Sequence, residues 1–96
     1  MKTVKAVEVF EALASESRLD IYRLLIKNAP NGMVAGDISK KLKIPATTLS
    51  FHLKAILHAG LVTMEKEGRF VRYRANIDLM NDLVNYLTAE CCTGNS

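Results

Sequence analysis

No run of apolar residues in this 96-residue chain approaches the roughly 20 needed to cross a bilayer, and residues 1–10 lack the charged-then-apolar layout of a secretory signal. A membrane partner is therefore not expected, and the cytoplasm is the expected location. Tandem repeats, low-complexity tracts and Pro/Gly-rich linkers are also missing, so nothing divides the chain. A length of 96 residues is short for two separate cores, and one domain over residues 1–96 follows. The chain shows no nucleophile-and-base set, paired carboxylates or phosphate-cradling loop, which argues against an enzyme and against a catalytic cofactor. Cysteine is scarce: only Cys91 and Cys92 occur, adjacent and without a CxxC motif. A disulfide between sequence neighbours is strained, so a structural bridge is not expected either.

What is present is the composition of a folded protein, 49% apolar and 24% charged. The formal net charge is only +3, but it is unevenly spread. Between Lys40 and Arg74 stand eight basic residues (Lys40, Lys41, Lys43, Lys54, Lys66, Arg69, Arg72 and Arg74) against two acidic ones, Glu65 and Glu67. The rest of the chain holds five basic and eight acidic residues. A basic middle in an otherwise acidic small protein suits a polyanion, because neutralised phosphates release counterions. A merely solvated basic face would have the same composition, so the arrangement of elements has to decide.

Apolar spacing predicts a first helix over residues 3–14, where Val4, Val7, Phe10 and Ala14 make one stripe and Val9 and Leu13 a second. Ser15 is placed to cap a helix over 16–28, and Pro30, Asn31 and Gly32 stop it. A short helix over 35–42 carries Ile38 and Leu42 on one face. Lys43, Ile44 and Pro45 break it, and proline then favours a new start. The helix over 46–58 turns Leu49, Leu53, Ile56 and Leu57 inward and presents a polar face. Strands over 61–65 and 70–75 flank a tip at 66–69, where Gly68 permits a tight turn. A last helix over 77–90 aligns Met80, Leu83, Val84 and Leu87, a row that Cys91 continues. The fold class is mainly α with a β-hairpin wing, in the order α-α-α-α-β-β-α: a winged helix-turn-helix.

Two short helices joined by a three-residue turn present the second to a major groove. Thr47, Thr48, Ser50, His52 and Lys54 lie in its first turns and are the candidates for base edges and phosphates; the hairpin brings Arg69 and Arg72 to the adjacent groove or backbone. His58, near the helix end, suits a structural role there. One such helix discriminates poorly among genomic sites, so a dimer reading two half-sites about 34–36 Å apart on double-stranded operator DNA is expected. The first and last helices carry more apolar surface than one core needs and would form the homodimer interface.

The run Ala12-Leu13-Ala14-Ser15-Glu16-Ser17-Arg18-Leu19-Asp20-Ile21, the stretch from Asp37 through Leu53 to Gly60, Leu61 and Val62, and Glu67, Gly68, Arg69 and Tyr73 together resemble the ArsR/SmtB family of metal-responsive repressors. The resemblance covers nearly the whole chain. It implies a dimer built on the terminal helices, repression by occupying an operator, and release by an effector. Two of the family's effector patterns do not match. The stretch from Met33 to Asp37 lacks the cysteine pair of many arsenic-sensing members, and the last helix offers Asp78, Asp82 and Glu90 but no histidine for zinc.

Cys91 and Cys92 are similar to the C-terminal vicinal cysteines of a family subgroup that binds arsenite, so the resemblance implies As(III) as inducer with these two as ligands. Soft thiolates suit trivalent arsenic, which is best satisfied by three sulfurs; the third has to come from a partner subunit or a small thiol. Adjacent side chains on a helix diverge by about 100°, so both sulfurs meet one atom only if the helix frays or ends at Glu90. Other readings stand beside this one. Cys91 is also a small apolar residue prolonging a core row, with Cys92 incidental. The pair also fits a redox or other non-metal signal, and winged helices also serve as protein-interaction modules.

Overall fold

The computed structural model describes residues 1–94. Five helices and three short strands follow in the order α1 (Thr3–Leu13), α2 (Glu16–Lys27), β1 (Met33–Val34), α3 (Ala35–Leu42), α4 (Ala46–His58), β2 (Val62–Glu67), β3 (Phe70–Ala75) and α5 (Ile77–Thr88). The winged helix-turn-helix expected from periodicity is present, with α3 and α4 as its helical pair and β2–β3 as its wing.

Each helix end has a local cause. Ser15 caps α2, its hydroxyl accepting from the Arg18 amide at 3.3 Å. Lys43 closes α3 in the left-handed region at φ 56°, and the Ser39 hydroxyl donates across the turn to the Ile44 carbonyl at 2.5 Å. That bond fixes the angle at which α4 leaves. At the far end of α4, Lys5 from α1 donates to the Ala59 carbonyl at 2.7 Å, placing a cation where the helix dipole is negative. Asn76 caps α5 by accepting from the Leu79 amide and donates to the Gly60 carbonyl at 2.9 Å.

The core lies where α2, α3 and α4 meet the root of the sheet. Ile21, Leu25, Ile38, Leu49, Ile56 and Leu61 are almost entirely buried, joined by Val9 of α1 and Leu83 of α5. The terminal helices are much less covered. Val4 and Val7 of α1 are 73% and 47% exposed, and Val84 and Leu87 of α5 are 50% and 56% exposed. The shape is correspondingly drawn out, 55 Å by 23 Å by 20 Å, with a radius of gyration of 15.0 Å. A domain of this length packed to the usual shape would have about 12.5 Å.

The structure amends the expected elements in three places. The sheet has three strands in the order β1-β3-β2, because Met33 and Val34 pair with Tyr73 and Arg72. Two residues are too few for alternation to show. The first wing strand runs two residues further, to Glu67, while the second keeps its expected span, so that Glu67 faces Phe70 across a two-residue turn with Gly68 first at φ 64°. Finally, α5 stops at Thr88 rather than Glu90, Ala89 being extended. The Thr88 hydroxyl donates to the Val84 carbonyl at 2.9 Å, occupying a last-turn acceptor, and Cys91 therefore leaves the apolar row and is exposed.

Gly32, where the chain enters β1, sits at φ 74° with its α-carbon against β3, and a methyl group there would overlap the Tyr73 carbonyl. Gly32→Ala is expected to lower unfolding stability by about 1–3 kcal/mol in urea denaturation, combining the positive φ with displacement of the β1–β3 pair.

Candidate nucleic-acid interface

Helix α4 has two opposed faces. Leu49, Leu53 and Ile56 are buried, whereas Thr47, Ser50, Phe51 and Lys54 are exposed and share the i, i+3, i+4, i+7 row on the other side. Thr48 flanks that row and is exposed as well. Phe51 was not among the residues expected at this face, and it makes the face less polar than the hydroxyls around it suggest: the ring is 67% exposed. No hydrogen bond or ion pair engages the Lys54 ammonium among the described residues.

His52 is placed differently from its neighbours. It is half-buried, with Nδ1 3.3 Å from Arg18 Nη1, while Arg18 Nε donates to the Ala12 carbonyl at 2.6 Å. Arginine has only donors, so Nδ1 accepts and the proton of the neutral ring resides on Nε2. The His52 ring also meets the Phe51 ring edge to face, centroids 5.7 Å apart and planes at 68°. His52 thus supports α4 from within as well as lying in its first turns.

The wing sorts its charges by face. Residues directly opposite in the β2–β3 ladder share a face, which puts Thr63, Glu65 and Glu67 with Arg74, Arg72 and Phe70. On that face the Arg74 guanidinium meets Glu65 at 2.7 Å. Arg72 Nε donates to both Glu67 oxygens at 2.8 and 3.0 Å, while its Nη1 reaches the Asn31 and Gly32 carbonyls at 3.4 Å. Arg72, expected at DNA, is thus engaged within the protein and ties the wing to the β1 loop. Lys66 lies on the opposite face with Val71, and Arg69 stands at the turn; neither has an acidic partner among the described residues. Once the two internal pairs are set aside, Lys40, Lys41, Lys43, Lys54, Lys66 and Arg69 remain as the uncompensated cations of the basic middle. A helix with an exposed polar row, next to a hairpin with free cations at its tip, matches the two anionic backbones and the groove of a duplex.

A family described as a helix-turn-helix domain matches residues 13–65, more than half of the chain. The arsenical resistance operon repressor of Bacillus subtilis is 33% identical over 90 residues, which cover 92% of this chain and 80% of that protein. The chain belongs to the ArsR family of helix-turn-helix transcriptional regulators. The transcriptional activator HlyU of Vibrio cholerae is 30% identical over 97% of this chain and 83% of its own, so regulators of both signs are similar to it. Among solved structures, the homodimeric winged helix-turn-helix DNA-binding domain Mb0332 of Mycobacterium bovis, a possible ArsR-family regulator, superposes with a TM-score of 0.69. It is 27% identical, over 96% of this chain and 86% of that one. These relatives are transcriptional regulators and not enzymes, and no helix among the described residues of this ArsR-family protein is long and apolar enough to cross a membrane.

Cys91 and Cys92 sit far from this surface in sequence, just beyond α5, both exposed and with free thiols. Glu90 and Cys92 have positive φ, 59° and 67°, and this break in the helix brings the two sulfurs to 2.7 Å. By donating to the Cys92 sulfur, the Cys91 thiol holds its proton more firmly, which pushes it above its ordinary pKa.

For a duplex selected by the wild-type regulator, Lys54→Ala and Arg69→Ala are each expected to weaken binding and to reduce the slope of log K against log salt by about 0.9 for each subunit bound. Arg72→Ala should leave that slope unchanged and lower the melting temperature instead. Anisotropy titrations at several salt concentrations, alongside thermal melts, separate the two behaviours.

Proposed function

We propose that this ArsR-family regulator is a cytoplasmic homodimeric repressor that occupies an operator through two copies of α4 and the wing, and that As(III) bound by Cys91 and Cys92 releases it. The observation that carries the effector reading is the meeting of the two thiols outside the helix, the condition a single chelated atom requires. Arsenous acid can condense with both thiols, losing two waters and leaving arsenic bound to two sulfurs and one hydroxyl. A third thiol, from the partner subunit or a small molecule, would replace that hydroxyl with loss of a third water. The described residues contain no cluster of three or more His, Cys, Asp or Glu able to hold a metal ion.

The dimer reading rests on the uncovered apolar residues of α1 and α5, the drawn-out shape, and the homodimeric relative. A route from effector to DNA runs through named contacts. The Tyr86 hydroxyl of α5 meets the Thr3 hydroxyl of α1, Lys5 of α1 holds the end of α4, and Asn76 ties the start of α5 to Gly60. A shift of α5 is thereby passed to the recognition helix. A useful coupling of about 1–3 kcal/mol corresponds to 5–150-fold in operator affinity.

Leu87→Lys is expected to weaken self-association by about tenfold or more in sedimentation equilibrium, on the scale of one buried leucine side chain, while α2–α4 stay folded. The effector is tested by anisotropy of a labelled promoter fragment titrated first with protein and then with arsenite. Wild type should dissociate, and the Cys91→Ser, Cys92→Ser double variant should bind equally well but remain bound. Release by a mild oxidant and not by arsenite would replace the arsenic reading with a redox one.

A further inference from the structure

The recognition helix places an unsatisfied aromatic ring where its base contacts should be. Phe51 is 67% exposed and stands about 160° around the helix from Leu49 and from Leu53, as far from the core as a side chain of α4 can be. It belongs to the exposed row Thr47, Ser50, Phe51, Lys54. Homeodomain recognition helices read base edges with the same i, i+3, i+4, i+7 spacing. The ring is also braced. Its neighbour His52 packs against it edge to face, and His52 is itself fixed by Arg18, which is anchored on the Ala12 carbonyl of α1.

We propose that Phe51 reads thymine in the major groove through its 5-methyl group, with His52 and Arg18 as the residues that position the ring. The occupant follows from chemistry on this surface. Lys54 lines one groove with the ring, together with Arg18 and with Glu8 and Glu11 of α1; Lys40 and Lys43 on the preceding helix and turn, and Lys66 and Arg69 on the wing, are exposed cations that fit a polyanion. Of the four bases only thymine carries an apolar group into the major groove, and a phenylalanine side chain is one of the few that can match it. The short hydroxyls Thr47, Thr48 and Ser50 discriminate weakly among bases, so the ring supplies selectivity that they lack. This inference rests on α4 being the groove-entering helix.

The test uses the full-length protein and a duplex selected by it from a random library. Each thymine is replaced in turn by deoxyuridine, which deletes only the methyl group, and affinity is measured by anisotropy. Wild type is expected to lose about fourfold at one or two thymines per half-site, the worth of one buried methyl-sized group. Phe51→Ala should bind the thymine and uracil duplexes alike, and Phe51→Leu should restore part of the preference. Arg18→Met should reduce the thymine-to-uracil ratio without contacting DNA. Because Phe51 is exposed, the alanine variant should melt as wild type does. A wild-type protein indifferent to every substitution, or a Phe51→Ala variant that keeps the full ratio, overturns the proposal. So does a loss of dimer in Phe51→Ala, which would assign the ring to a protein interface. The underlying reading fails separately: if Lys54→Ala and Arg69→Ala leave the salt slope unchanged, α4 and the wing are not the DNA face at all.

Discussion

Asn76 ties together four elements at a single point, adding hydrogen bonds to the ladder and core packing that already join them. Its side-chain carbonyl oxygen accepts from the Leu79 amide at the start of α5, its side-chain amide donates to the Gly60 carbonyl just past α4, and its own backbone amide donates to Leu61 at the entry to β2. It follows β3 directly. Recognition helix, both wing strands and the final helix therefore share one hydrogen-bonded junction, and the angle between helix and wing is set there. Lys5 reinforces the same corner from α1 through the Ala59 carbonyl. The surface formed by α4 and the wing and the terminal helices with their uncovered apolar residues are in this way tied together by a few polar contacts beside the core.

Electrostatics follows from the strand register. Antiparallel pairing puts Glu65 and Glu67 on the same face as Arg72 and Arg74, and there the charges pair across and along the ladder. The Arg74–Glu65 pair, being exposed, contributes little to stability, whereas Arg72 adds its two carbonyl contacts to its pair with Glu67. The effect of the two pairs is to remove two arginines from competition for phosphate and to leave the free cations at the wing turn, on the wing's other face and on the helical pair. A one-residue slip of register would reverse this sorting, exposing carboxylates to the duplex. The anchorage of Arg72 on the Asn31 and Gly32 carbonyls opposes such a slip, as does the close approach of Gly32 to β3.

Much of this was legible in the chain itself. Long periodic segments with chemical boundaries were read well: Ser15 marked the start of α2, residues 43–45 marked the turn, and the alternation around Gly68 marked the wing. Features that depend on partners distant in sequence were not legible. Met33–Val34 becomes a strand only because β3 passes beside it. Arg72 looked like a groove-binding arginine until Glu67 and two carbonyls claimed it, and His52 looked like an outward donor until Arg18, 34 positions away, took one nitrogen. Asn76 gave a local sign of its capping role in being an asparagine before an apolar-periodic run. Phe51 gave a sign that its residue type masked: helical spacing sets it opposite Leu49 and Leu53, but an aromatic inside a helical pattern is ordinarily a core residue.

The two thiols stand beyond the last helical turn, outside the core and outside every hydrogen bond that shapes the DNA face. A handful of terminal residues can therefore be exchanged without penalty to folding or to operator choice. If the thiols are the effector site proposed above, a lineage carrying this scaffold could acquire a new chemical sense by rewriting its tail, and lose one by a single substitution, while the genes under its control stayed the same. Sensory identity and genomic address would then be inherited separately, and an engineer could alter either one alone.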